Sequence, residues 1–139
     1  MSEQAAVLFA NDSFYAAFLA RDVAAMEALW AEDVPVACVH PGWHALTDRE
    51  EVMESWAGIL SNEAAPKVVC RSAQAFVQGE SAFVVCYEQI GDSLLVATNI
   101  FLRQAGPEGR RWRMVHHQAG PCNLPPDALE EEPEPGPVQ

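Results

Sequence analysis

Two histidines and two tryptophans gather around one strand-to-helix connection. The stretch runs Cys38-Val39-His40-Pro41-Gly42-Trp43-His44 and leads into a segment from Thr47 to Trp56. Imidazole is the side chain best suited to proton transfer near neutral pH. Indole supplies a large apolar wall with one hydrogen-bond donor. His40 precedes Pro41, which confines its backbone to extended or turn geometry. A histidine fixed in this way can act as a general acid or base; a loop histidine bonded to backbone is the plainer alternative. Trp43 and Trp56 are the candidate walls of a pocket. Trp56 also shares helical spacing with Val52 and Leu60, the pattern of ordinary core packing. His44 follows His40 by four residues in a loop, where that spacing has no geometric meaning, so no metal site is expected there.

Other polar side chains stand in apolar surroundings. Glu88 and Asn99 interrupt strand-like runs. Each must be solvated, paired or set in a cavity, because an unpaired buried polar group costs several kcal/mol. In an apolar cavity Glu88 would have a raised pKa and could serve as a base; at an edge it would face water. Asn99 can both donate and accept. Tyr15 lies on a long helical stretch that could aim its hydroxyl inward. Near the end of the chain, His116 and Gln118 share one face of a regular strand with Trp112 and Met114, while His117 shares the other with Arg113 and Val115. Only one of the two histidines can then face a cavity, and the alternation selects His116 with Gln118 beside it.

The elements that must hold these groups follow from periodicity. From Glu3 to Ala20, Val7, Phe14 and Phe18 fall on one helical line, and Leu8, Tyr15 and Leu19 on its neighbour. Asp22 can cap a short second helix from Val23 to Ala31, with Val23, Met26 and Trp30 inward. Val34 to Val39, interrupted by Pro35, reads as an edge strand. Thr47 and Glu50 form a capping box for a third helix that ends at Ser61-Asn62. Strands follow over Pro66–Val77, Ala82–Ile90, Leu94–Arg103 and Arg111–Ala119, joined by glycine-containing turns. This is an antiparallel meander. Helices followed by a meander make an α+β domain with helices on one sheet face.

In the third of these strands Leu95, Ala97, Asn99 and Phe101 alternate with Val96, Thr98, Ile100 and Leu102. Both sets are mainly apolar, so both faces need cover. A second copy of the chain is the simplest cover for the face without helices, which predicts a homodimer.

Composition sets the outer limits. The 139 residues are 50% hydrophobic, enough for one domain with a core. The net charge is −12. Five of the 20 acidic residues follow Pro126 with no basic residue among them, so fifteen acids face eight bases in the rest. A body this acidic repels phosphate backbones and anionic membranes, so neither nucleic acid nor membrane is expected as a partner. No apolar run approaches the roughly 20 residues needed to span a bilayer. The N-terminus lacks a positive n-region. Cys38, Cys70, Cys86 and Cys122 form no close pair, which fits reduced thiols and a cytoplasmic location and argues against a zinc site. Residues 1–124 read as the domain. Residues 125–139 read as an acidic, Pro/Glu-rich tail that is disordered, because it can bury too little surface to offset its ordering entropy.

The chain resembles the SnoaL-like branch of the nuclear-transport-factor-two-like superfamily over roughly Val7 to Gly120. The resemblance is carried by Ala20 to Asp33 (ARDVAAMEALWAED), by Val39-His40-Pro41-Gly42, by Ala97-Thr98-Asn99-Ile100-Phe101, and by the closing Trp112 to Gly120 (WRMVHHQAG). It implies a cone-shaped, cystatin-like fold, with three N-terminal helices on a curved, mainly antiparallel sheet around a largely apolar cavity. Dimerisation through the outer sheet face is common in that family. Many of its members close with a second histidine and a serine where Gln118 and Gly120 stand here. The fold carries isomerases, dehydratases, cyclases and non-catalytic binders alike. Two functions are therefore expected. One is a small-molecule-binding domain for an apolar ligand. The other is a cofactor-independent isomerase, dehydratase or hydrolase, with His40 or Glu88 moving a proton and Asn99, His116 or Gln118 polarising an oxygen.

Overall fold

A computed structural model describes residues 1–130. Helix α1 spans Glu3–Ala20 and starts at Ser2, whose hydroxyl accepts from the Ala5 N–H. It stops where Arg21 turns left-handed (φ 57°) and the Asp22 N–H reaches back to Ala17 O, a common way to satisfy the last carbonyls of a helix. The Arg21 side chain then donates to Leu60 O at 2.9 Å, tying this corner to the end of α3. Helix α2, Val23–Leu29, is capped by Asp22 as the sequence predicts. Strand β1 is only Ala37–Val39.

Helix α3, Arg49–Ser61, starts one residue later than the capping box implies. Asp48, not Thr47, is the cap, and its carboxylate accepts from the Glu50 N–H at 3.3 Å. Arg49 at the first helical position is drawn onto α2, where its guanidinium donates to Ala31 O (2.9 Å) and Glu27 O (3.0 Å).

Strands β2 (Val69–Gln78), β3 (Ser81–Ile90), β4 (Ser93–Gly106) and β5 (Gly109–Pro121) form the meander, and a 3-10 turn follows at Pro126–Ala128. The sheet order is β1-β5-β4-β3-β2. Only β1 pairs in parallel, along β5; the other pairings are antiparallel. The fold is α+β, with three helices on a five-stranded mixed sheet. Past Leu124, Arg71 donates to Pro126 O at 2.9 Å. The disorder expected of the tail falls, beyond Glu130, outside the described residues.

The core lies between the helices and one sheet face. Phe14, Met26, Trp30, Trp56, Phe101 and Met114 are all essentially inaccessible. Burying each such apolar side chain contributes about 1.5–3 kcal/mol. Along β4, Ala97, Asn99 and Phe101 point into this core as the alternation predicts. Two expected inward residues do not: Leu19 (54% exposed) and Val23 (39% exposed) lie at the ends of their apolar stripes.

The sheet carries two bulges. In β2 the register slips between Arg71 and Gln74, with Ser72 left-handed (φ 55°). In β5 Met114 pairs with Phe101 and His116 with Ile100, so Val115 is an extra residue without a partner of its own. A bulge bends its strand and resets which side chains face inward.

Candidate functional site

The bulge at Val115 decides which histidine enters the core. Trp112 and Met114 point inward before it, and His117 and Ala119 point inward after it. His116 is half-buried on the opposite face and Gln118 is exposed. The expectation that His116 and Gln118 face the interior is thus overturned, because it assumed unbroken alternation over a strand that has one extra residue. His117 takes the place and is only 1% exposed.

Its partners come from three elements. The His117 Nδ1 lies 2.6 Å from Asn99 Oδ1. Asn99 Nδ2 donates to Asn11 Oδ1 (2.8 Å) and to the Tyr15 hydroxyl (3.2 Å). Tyr15 in turn donates to Glu88 Oε2 at 2.6 Å, with Cys86 Sγ 3.3 Å away. The protons follow from this order. Tyr15 spends its hydrogen on Glu88, so it accepts from Asn99, which leaves the Asn99 oxygen for His117. His117 therefore carries its hydrogen on Nδ1. Its bare Nε2 faces Glu88 Oε2 across 3.9 Å, too far for a direct hydrogen bond.

Burial sets the charges of this cluster. It pushes the Glu88 carboxyl above its ordinary value, opposed by the hydrogen bond from Tyr15. It lowers His117 to about 3, helped by His40 and His116 nearby. Burial and the adjacent Glu88 raise the Tyr15 phenol. Desolvation thus favours the neutral forms of both Glu88 and His117.

His40 forms a second centre. Pro41 and Gly42 (φ 81°) occupy the middle of a turn closed by the Trp43 N–H on His40 O at 2.9 Å. This is the sequence a type II turn asks for. The turn folds Trp43 over the imidazole (ring centres 4.8 Å apart), while Trp56 packs on it at 4.7 Å. Ser55 donates its only hydroxyl hydrogen to Val52 O (2.7 Å). Its oxygen therefore accepts from His40 Nε2 at 2.9 Å. Burial lowers His40 to about 4. Beside it, burial and the Glu88 charge push the Cys38 thiol up to about 12.

The structure thus brings Tyr15, Glu88, Asn99, His40 and Trp56 together and leaves Trp43 as a half-exposed roof. His44 is exposed. The interior is occupied by rings: Phe14 packs against Tyr15, Trp56 and His117 at 4.8, 5.4 and 4.9 Å. Trp56 also lines a surface recess. Asn11, Cys86 and Ser55 were not anticipated. Asn11 had a visible signal, since it lies four residues before Tyr15 on the apolar stripe of α1. Among the described residues no group of three or more His, Cys, Asp or Glu is arranged to hold a metal ion, and no helix is long and apolar enough to cross a membrane.

A SnoaL-like domain model matches residues 7–122. The chain belongs to the SnoaL-like family. Among solved structures, this SnoaL-like chain is similar to a presumed dehydratase of the nuclear-transport-factor-two-like family from Streptomyces avermitilis, at 32% identity and TM-score 0.76, over 88% of this chain and 97% of the other. It is also similar to a presumed calcium/calmodulin-dependent protein kinase type II association domain from Thiobacillus denitrificans (32% identity, TM-score 0.67, covering 82% and 93%). A presumed ketosteroid isomerase from Shewanella frigidimarina shares the fold alone, at 16% identity, TM-score 0.67, and coverage of 82% and 94%. No curated protein matches.

Proposed function

We propose that this SnoaL-like domain binds a small, largely apolar molecule beside the Glu88–His117 pair and moves a proton on it without a cofactor, as isomerases and dehydratases do. One observation carries the reading: a buried carboxyl bonded to a tyrosine at 2.6 Å faces the bare nitrogen of a buried imidazole across 3.9 Å. A proton cannot cross that gap directly. A ligand hydroxyl or enol oxygen placed in it would touch both groups. Glu88 then acts as the acid or base and His117 as its counterpart. Asn99 and Asn11 hold the imidazole in one tautomer, and His40 stays outside the transfer as a neutral wall. The 32% identity to a presumed dehydratase supports the same class.

The test is a panel of ketones, lactones and β-hydroxyketones. Turnover is expected on at least one of them, falling about 10²–10⁴-fold in Glu88→Gln with ligand affinity little changed. Binding without turnover would leave the second reading, a non-catalytic binding domain, which the packing of Phe14 and Trp56 on His117 favours. No binding at all would end both.

The outer sheet face is the proposed homodimer interface. Phe76 (43% exposed) stacks on Phe83 at 4.8 Å, and Val96 and Val69 are also open there. A dimer is expected by sedimentation, and a monomer for Phe76→Glu with Phe83→Glu. The four free cysteines support a location in the reducing cytoplasm.

A further inference from the structure

Between α2 and α3 lies a recess of about 290 Å³, near the lower end of small-molecule sites. Its floor is apolar, made by Val23, Met26, Met53 and Trp56. Its rim carries three carboxylates, Glu27, Glu50 and Glu54. We propose that this recess is the vestibule of the buried site, that the Trp56 indole is its movable floor, and that it admits neutral or cationic molecules and turns anions away. The proposal rests on the Glu88–His117 pair being the ligand site and adds the route to it and the charge class of the ligand.

Trp56 touches both compartments. It lines the recess, and its ring also packs on His40 at 4.7 Å and His117 at 5.8 Å. Displacing this side chain would open the recess toward the imidazole that faces Glu88. The indole is held by edge contacts, to Phe14 at 5.4 Å and Phe18 at 5.2 Å, and its N–H approaches the sulfur of Cys38, a weak acceptor. Its Nε1–H is buried without a regular partner, although it lies close enough to Cys38 to favour that thiolate. A buried donor with so weak an acceptor is a standing cost. Swinging the ring outward exchanges that weak contact with sulfur for hydrogen bonds to water. The adjoining tryptophan over His40, Trp43, is already half-exposed.

Charge sets the selectivity. No Lys, Arg or His lines the recess. The nearby base, Arg49, has its guanidinium directed at the carbonyls of Glu27 and Ala31 instead. A carboxylate or phosphate ligand would meet three like charges and no compensating donor. A cation would meet the carboxylates first and then an indole, whose π face would be a favourable partner for it once the ring turns.

Three probes with one phenyl body test this on the intact chain: benzyltrimethylammonium, benzyl alcohol and benzoate. Binding is followed by NMR of the Trp56 indole, the Met53 methyl and the His117 ring. At low salt the cation is expected to bind about tenfold or more tightly than benzoate, with the gap collapsing in Glu27→Gln/Glu54→Gln. His117 signals should shift together with those of Trp56, and exchange should quicken in Trp56→Phe, which keeps a ring and drops the orphan donor. Equal affinity for cation and anion would overturn the selectivity. Shifts confined to Met53 and Trp56, or no binding to either form, would overturn the route. Probe reaching His117 while Glu88→Gln leaves turnover unchanged would sink the acid–base reading and leave the vestibule standing.

Discussion

His117 Nδ1 donates to Asn99 Oδ1 across 2.6 Å, and the amide on the other side of Asn99 holds Asn11 and Tyr15. One side chain thus fixes the tautomer of the imidazole and the direction of the tyrosine hydroxyl. Asn99→Leu would strand the His117 N–H and the Asn11 oxygen in the core. A loss of about 2–5 kcal/mol in chemical denaturation is expected from two unmet groups. Asn99→Asp keeps the acceptor and adds an anion, so the His117 pKa should rise well above about 3. An NMR titration showing no rise would contradict the assigned bond.

Acid should weaken the fold through the two buried imidazoles. The folded values of His40 and His117 are about 4 and about 3, both below the ordinary value. The unfolded chain therefore takes up protons that the native state refuses. Their stabilisation is full above the unfolded value near 6.5 and is lost as pH falls toward the folded values. The slope is at most about 1.4 kcal/mol per pH unit for each histidine. His40→Gln should make this acid limb shallower in denaturation midpoints. An unchanged limb would show that His40 already titrates freely.

Glu88 bends the curve the other way. Its folded value is raised, so its contribution is full below the ordinary carboxylate range and is lost as pH rises through the folded value. Glu88→Gln should remove that decline at higher pH. Parallel curves for the two proteins would mean the carboxyl is not desolvated.

Gly42→Ala meets no atom within 4 Å, so backbone strain alone is at stake. At φ 81° this is worth about 1 kcal/mol or slightly more. Gly42→Asn should cost less, since asparagine tolerates the left-handed region. Equal losses for the two would point to the loop rather than the turn.

Arg49→Ala should cost about 1–3 kcal/mol by leaving the carbonyls of Glu27, in the last turn of α2, and of Ala31, just beyond it, without their charged donor. Arg49→Lys should recover only part, because an ammonium cannot reproduce the fork. Full recovery by lysine would reduce the contact to simple charge.

Most of the scaffold was legible in the sequence because its signals are local. The apolar stripe of α1, the Asp22 cap and the alternation along β4 each follow from neighbours in the chain. The polar residues Glu88 and Asn99 stood out because strands of that composition leave them no water. The pairing of Tyr15 with Glu88 joins residues 73 positions apart and could not be read from either strand or helix alone. The choice between His116 and His117 was unreadable for a different reason. Val115 is an unremarkable strand residue, and nothing in its side chain announces that it stands out of register; only the pairing with Phe101 and Ile100 does. The start of α3 differs by one residue because the Asp48 carboxylate, next to Thr47, makes the capping bond instead.

That supernumerary valine has a consequence for how family members are set beside one another. In a relative whose last strand lacks it, the residue aligned without a gap to His116 is the one that meets the interior. Matching by position would then equate a surface histidine with a buried one. Correspondence in this strand has to be drawn by which side of the sheet a residue occupies, and the two adjacent histidines make the error easy to commit and hard to notice.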